Sequence, residues 1–185
     1  MRIFIDMDGV LVNFIDAAFK AHGAATPDLR GLKAHSIQKF LDLNLPEFWA
    51  PFNTDFWANL EPYPWVDELL DALSNAIGFS NLCLLSNPGN EFGAKGKTIW
   101  IREQLPDFYY AGQFLLGPSK HFCASPTALL IDDHKTNVNK FTAALGGAVL
   151  FPQPWNTTLY LDVSKVKIVM ACVNQWKAKL DYDLS

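Results

Sequence analysis

Five short apolar runs, spaced along the chain and separated by helical patterns, constrain the fold most. They are Ile3-Phe4-Ile5 and residues 82–85, 113–116, 128–131 and 148–151. Strand-like runs that alternate with helices favour a parallel α/β sheet. The first run has no polar residue facing out, as expected of a strand covered on both faces. Between the runs, Val66, Leu69, Leu70, Leu73 and Ile77 form one helical face, with Pro64 near its start and Gly78 at its end. A second helix is predicted over 97–105, stopped by Pro106, and a third over 135–145, stopped by Gly146-Gly147. A last helix starts near Ser164 and carries Val169, Cys172, Val173, Trp176 and Leu180 on one stripe.

The interval from Phe14 to Pro62 breaks the alternation. It has no convincing strand, its helical patterns are interrupted by Gly23, Pro27, Pro46 and Pro51, and it is dense in aromatics, among them Phe19, Phe40, Phe48, Phe52, Phe56 and Trp57. The expected organisation is an α/β core formed by 1–13 and 62–185 with a small helical insert over 14–61. At 185 residues the chain is long enough to bury about 70% of its unfolded surface without a disulfide or metal staple. A net charge of −4 excludes a global attraction for a nucleic-acid polymer or an anionic membrane. Cys83, Cys123 and Cys172 are odd in number, widely spaced and form no C-x-x-C, which reads as a reduced protein without structural zinc. The first strand is under way at Ile3 and no run spans a bilayer, so a cytoplasmic protein is expected and the sequon at Asn156 reads as chance.

Chemistry gathers at the ends of the runs. Asp6 and Asp8 follow the first, in Asp6-Met7-Asp8-Gly9-Val10-Leu11; Ser86-Asn87 ends the second; Asp132-Asp133 ends the fourth. In a parallel sheet the carboxyl ends of the strands share one edge, where ligands bind. On an extended chain Asp6 and Asp8 point the same way. Carboxylates so close repel, and a divalent cation reverses that. Lys120 precedes Asp132 by 12 residues. Carboxylates for Mg²⁺, a hydroxyl and amide for an oxyanion and a lysine for negative charge make a phosphoryl-transfer site.

The ordered set Asp6 to Leu11, Ser86, a lysine, then Asp132-Asp133 resembles the haloacid dehalogenase superfamily of phosphohydrolases. The insert sits where that family places a type-1 cap. Within it, the chain looks most like the 5′(3′)-deoxyribonucleotidases, through the opening that runs to Phe14, through Leu60-Glu61-Pro62-Tyr63-Pro64 and through the run ending in Asp132-Asp133. Two departures are Asn87, where the family usually has a second hydroxyl, and His134, where it often has Arg.

The resemblance implies a Mg²⁺-dependent phosphomonoesterase acting on a small phosphomonoester, a nucleoside monophosphate and preferably a deoxy one. Asp6 would be the nucleophile and Asp8 the general acid and base. Mg²⁺ would be held by Asp6, Asp133 and the Asp8 carbonyl, with Asp132 supporting from behind, although Asp132 and Asp133 end the same strand and Asp132 is the rival for the ligand's place. Ser86 and the Asn87 N–H would bind a phosphate oxygen. Lys120 would stabilise the developing charge, with Lys97 the rival for that role. Phe14 would contact the nucleobase, and Trp49 falls near a base-contacting tryptophan of the family. The related nucleotidases are often dimers, although no residue pattern here reads as a dimer surface.

Blander explanations exist for each feature. Ser86-Asn87-Pro88-Gly89 alone is an ordinary turn, either lysine alone is a surface residue, and most cap aromatics suit a small core. A sugar phosphate or similar metabolite is the rival substrate class. A signalling receiver domain uses similar groups, but there the acidic pair ends the first strand. A non-catalytic phospho-binding module is the remaining alternative. His22, His35, His121 and His134 show no metal-ligand spacing.

Overall fold

The first apolar run becomes the centre of the sheet because it can be buried from both sides. In the computed structural model, which describes residues 1–30, 37–156 and 163–183, β1 (Arg2–Ile5) lies between β2 (Leu82–Ser86) and β4 (Ala128–Asp132). The edges are β3 (Phe114–Leu116) beside β2 and β5 (Gly147–Leu150) beside β4. All pairings are parallel, in the order β3-β2-β1-β4-β5. This is the five-stranded α/β sheet that the sequence predicts. His35 and two residues of the sequon, Thr157 and Thr158, lie outside the described residues.

Strand alternation divides the side chains between two cores. Ile3, Ile5, Leu82, Leu84, Leu129, Ile131 and Val149 face one way. Against them pack Leu69 and Leu73 of α5 (Val66–Ile77) and Val166, Val169 and Val173 of α9 (Lys165–Asp183). Phe4, Leu85, Ala128 and Leu130 face the other way, onto Phe141 of α8 (Lys135–Ala143). No described helix is long and apolar enough to cross a membrane.

The insert is helical, as predicted: α1 (Phe14–Ala21), α2 (Ile37–Phe40), α3 (Leu45–Trp49) and α4 (Thr54–Ala58). Asn13, Asn44 and Asn53 cap α1, α3 and α4 with their side-chain oxygens. The chain enters and leaves the insert side by side. Val12 bridges Pro62, the Asn13 N–H donates to the Glu61 carbonyl at 3.0 Å, and the Tyr63 N–H donates to the Leu11 carbonyl at 2.8 Å.

One helical prediction needs correction, and one helix is added to those predicted. The helix expected from residue 97 begins at Gly93, as α6 (Gly93–Gln104). Its first turn holds glycines and a lysine instead of apolar residues, so periodicity misses it, whereas Asn90 Oδ1 accepts the N–H groups of Phe92 and Gly93 and starts it. Pro106 stops α6 as predicted, since α6 ends at Gln104, and it also opens a further helix, α7 (Pro106–Tyr110), at the position where its missing N–H costs nothing.

Helix α6 also carries the insert. A Cβ on Gly96 would meet the Trp57 side chain and lie 2.6 Å from the Thr54 carbonyl oxygen, so glycine lets α4 press directly onto α6. Gly96→Ala is expected to destabilise the protein by about 1–3 kcal/mol, the usual cost of overpacking. Urea unfolding checks this, and an unchanged midpoint would mean that the two helices separate freely.

Candidate active site

Beyond Ile5 the chain closes a tight loop. The Met7 carbonyl accepts the N–H groups of Val10, Leu11 and Val12 at 3.1, 2.8 and 2.9 Å, and the Gly9 N–H donates to the Val12 carbonyl at 2.9 Å. Gly9 has φ +79°, and a Cβ there would collide with the Asp133 carboxylate. Both the backbone and the approach of Asp133 therefore require glycine.

This loop, the ends of β2 and β4 and the helical insert line one cavity of about 270 Å³. Of the residues predicted from sequence, Asp6, Asp8, Phe14, Trp49, Asn87, Lys120 and Asp133 line it. Ser86 and Asp132 are fully buried next to it. Asp6 Oδ1 accepts the Met7 N–H at 2.7 Å and faces Lys120 Nζ at 2.6 Å. Lys120 also donates to Asp132 Oδ2 at 2.7 Å. The remaining capacity of Asp132 is taken by the His134 N–H at 2.8 Å and by Asn137 Nδ2, 3.2 and 3.0 Å from its two oxygens.

The two lysines weighed as rivals both reach the site. Lys97, with no exposed surface, donates to Asp8 Oδ2 at 2.5 Å, to Ser86 Oγ at 2.9 Å and to the Asn87 carbonyl at 2.6 Å. Those three bonds saturate an ammonium. Lys97 Nζ also lies 4.7 Å from the centre of a Trp57 ring.

The wall contributed by the insert is aromatic. Phe14 and Trp57 stack with ring centres 5.4 Å apart and planes 8° from parallel, and Phe52 and Phe56 meet Phe14 edge-on. Asn90 ties this wall to the loop after β2, accepting from Trp57 Nε1 at 3.0 Å and donating to the Phe52 carbonyl at 2.7 Å. Gly89, at φ +84°, tucks that loop under Trp57 and Trp49. Sequence reasoning gave no site role to Trp57, Asn137 or His134, all of which line the cavity, nor to Trp155, whose Nε1 donates to Asp133 Oδ2 at 2.8 Å. Trp57 carries a usable signal in its place in an aromatic insert. Trp155 carries none, because 22 residues separate it from its partner.

Burial raises the Asp8 pKa against the pull of Lys97, and the charge of Asp6 adds to the rise. Burial and Asp6 push Asp132 up to about 6 against the opposing Lys120. Burial, then Asp6 and Asp132, hold Asp133 well above the usual carboxylate range. For Lys120, burial opposes the charge, but Asp6 and Asp132 outweigh it and keep the ammonium above its ordinary value.

Asp6, Asp132 and Asp133 each offer an oxygen within 4.8 Å of the others. Asp8 Oδ1 is buried and has no partner among the described residues. An all-oxygen donor set that repels itself fits a hard divalent cation. Because the bonds to Lys120, His134 and Asn137 occupy Asp132, Asp6 and Asp133 are the better placed ligands.

A carboxyl whose pKa rises on folding holds its proton more tightly in the folded state. The stability it contributes at low pH is lost as pH rises through the folded value. The cation-free protein should therefore lose stability from about pH 4 through pH 6 on account of Asp132. Mg²⁺ is expected to raise Tm more at about pH 7.5 than at about pH 5. Equal shifts at both values, read by thermal melts, would contradict a cation held by these carboxylates.

Residues 1–167 match the family described as 5′ nucleotidase, deoxy (pyrimidine), cytosolic type C protein. Among solved structures, the chain is similar to a haloacid dehalogenase family hydrolase from Deinococcus radiodurans R1 with bound phosphate and sodium. The identity is 17%, the alignment covers 80% of this chain and 78% of that one, and the TM-score is 0.52. A family IA, variant 3 hydrolase of the same superfamily from Entamoeba histolytica aligns at 11% identity, covering 80% of this chain and 82% of that one, with a TM-score of 0.44. The first likeness extends to the fold. No curated protein sequence matches the chain.

Proposed function

The chain belongs to the cytosolic type C 5′-deoxynucleotidase family, a family of phosphomonoester hydrolases acting on nucleotides, and from that premise we propose a two-step, Mg²⁺-dependent hydrolysis of deoxynucleoside monophosphates. The observation that carries this reading is one cavity with carboxylates and Lys120 on one side and a stacked aromatic wall on the other. The division of labour follows the chain: 1–13 and 62–185 supply the chemistry, and the cap over 14–61 supplies the base contact.

Asp6 Oδ1 is engaged by Met7 and Lys120, which leaves Oδ2 to attack phosphorus. As the Asp6–phosphorus bond forms, the bond from phosphorus to the ester oxygen breaks. The leaving alkoxide takes a proton from Asp8, whose raised pKa suits it to carry one. Asp8, now a carboxylate, then accepts a proton from water as the water oxygen attacks phosphorus and releases Asp6 and phosphate. Bound Mg²⁺, held by Asp6, Asp133 and the Asp8 carbonyl, would neutralise charge on the transferring group. Lys120 sits against Asp6 where that charge develops. Lys97 fixes Ser86 and the Asn87 carbonyl, and so orients the hydroxyl and the N–H that bind a phosphate oxygen.

Phosphate release from 5′-dUMP, 5′-dTMP, 5′-dAMP, 5′-UMP, a 3′-deoxynucleotide and a sugar phosphate tests this reading. Release should need Mg²⁺, favour the deoxynucleotides and fall by about a thousandfold or more in Asp6→Asn. Equal or faster release from the sugar phosphate would keep the chemistry and remove the base pocket. Phe14→Ala is expected to raise KM for the preferred deoxynucleotide about tenfold, within the range of one lost base stacking. Its KM for a sugar phosphate should stay unchanged, and equal effects on both would assign Phe14 to the core.

A further inference from the structure

We propose that Gln153 and Lys165 form a positioning strut that holds the loop over 6–12 in its reactive shape. Gln153 is 2% exposed, and its Nε2 donates to the Gly9 carbonyl at 2.5 Å. Lys165 Nζ donates to Gln153 Oε1 at 2.5 Å. The same ammonium lies 4.1 Å from the centre of a Trp65 ring, with Phe151 and Tyr63 rings at 5.9 and 6.0 Å. Gly9 lines the cavity, whereas Gln153, Lys165 and the three aromatic residues do not.

Burying an amide and an ammonium together is costly unless both are satisfied. Here the Gln153 amide is bonded at both ends, the ammonium has the Gln153 oxygen and the aromatic faces, and the chain of bonds ends on one peptide group. The Gly9–Val10 peptide is gripped from both sides: Gln153 binds its carbonyl, and its N–H, on Val10, donates to the Met7 carbonyl at 3.1 Å. Trp65 adds a bond from Nε1 to the Val10 carbonyl at 2.9 Å. Tyr63, stacked on Trp65, donates its hydroxyl to Asn13 Oδ1 at 3.1 Å. Losing this grip would loosen the turn that follows Asp8, and with it the placement of Asp8 against Lys97. Burial lowers the Lys165 pKa to about 8 against the pull of Asp133, so the ammonium keeps its charge at neutral pH. Aromatic faces stabilise such a cation and fix its place.

The kinetic part of the strut's role rests on the nucleotidase reading; its effect on the loop does not. Lys165→Met and Gln153→Met remove the bonds while keeping similar length. Amide hydrogen exchange over 6–12 should rise about tenfold or more in both, with β5 unchanged. On the preferred deoxynucleotide, kcat should fall about tenfold with KM within about twofold. Lys165→Arg should retain more of both properties than Lys165→Met. Val173→Ala, a core truncation on α9, should destabilise the protein without moving either readout. Wild-type exchange over 6–12 in both Met variants would overturn the strut, and so would a kcat within about twofold of wild type. If the wild type releases no phosphate, the nucleotidase reading falls, and exchange over 6–12 still decides the strut.

Discussion

Asp6, Asp8, Asp132 and Asp133 crowd the carboxyl edge of the sheet against the ammonium groups of Lys97 and Lys120. Four carboxylates facing two lysines leave two negative charges without an answer when all are ionised. That deficit equals the charge of one divalent cation. Without one, the burden falls on protons, which is why burial and mutual repulsion raise Asp8, Asp132 and Asp133 together. The buried lysines would be costly anywhere else in the core; here each has carboxylate partners and the bonds needed to satisfy it.

The fold serves this constraint through backbone proximity. Parallel pairing places the ends of β1, β2 and β4 side by side, so residues distant in sequence converge without long loops. Glycine then removes bulk at two contacts. Gly9 lets Asp133 approach the loop after β1, and Gly96 lets the cap helix α4 rest on α6. Since α6 also carries Lys97, the same helix anchors the aromatic wall and the lysine that orients Ser86. The aromatic wall and the polar side of the cavity therefore rest on one shared support.

The five strands were legible because each is a short apolar run, three of them ending in polar residues, and their order along the chain already implied parallel pairing. The helical nature of the insert was legible too. The first turn of α6 was not, because Gly93 and Gly96 are there for close packing and not for amphipathicity. Pro106 does stop α6, but the further helix that it opens, α7, was not foreseen. At the site, the acidic residues announced themselves by position after the strands. Spacing alone left Lys97 and Lys120 as rivals, and it says nothing of a charge balance that draws both to the carboxylates, Lys120 to Asp6 and Lys97 to Asp8. Gln153, Trp155 and Lys165 had no local pattern at all. Their partners lie at Gly9 and Asp133, and only tertiary folding brings them there.

The most direct test of Asp6 as the attacking group is to quench the enzyme in acid during turnover of its preferred nucleotide, reduce the protein with borohydride and map the modified position by peptide mass. An acyl phosphate is reduced to an alcohol, so position 6 should read as homoserine only when substrate and Mg²⁺ are both present. An unmodified Asp6 under turnover, or the change at Asp8 or Asp133 instead, would contradict the account.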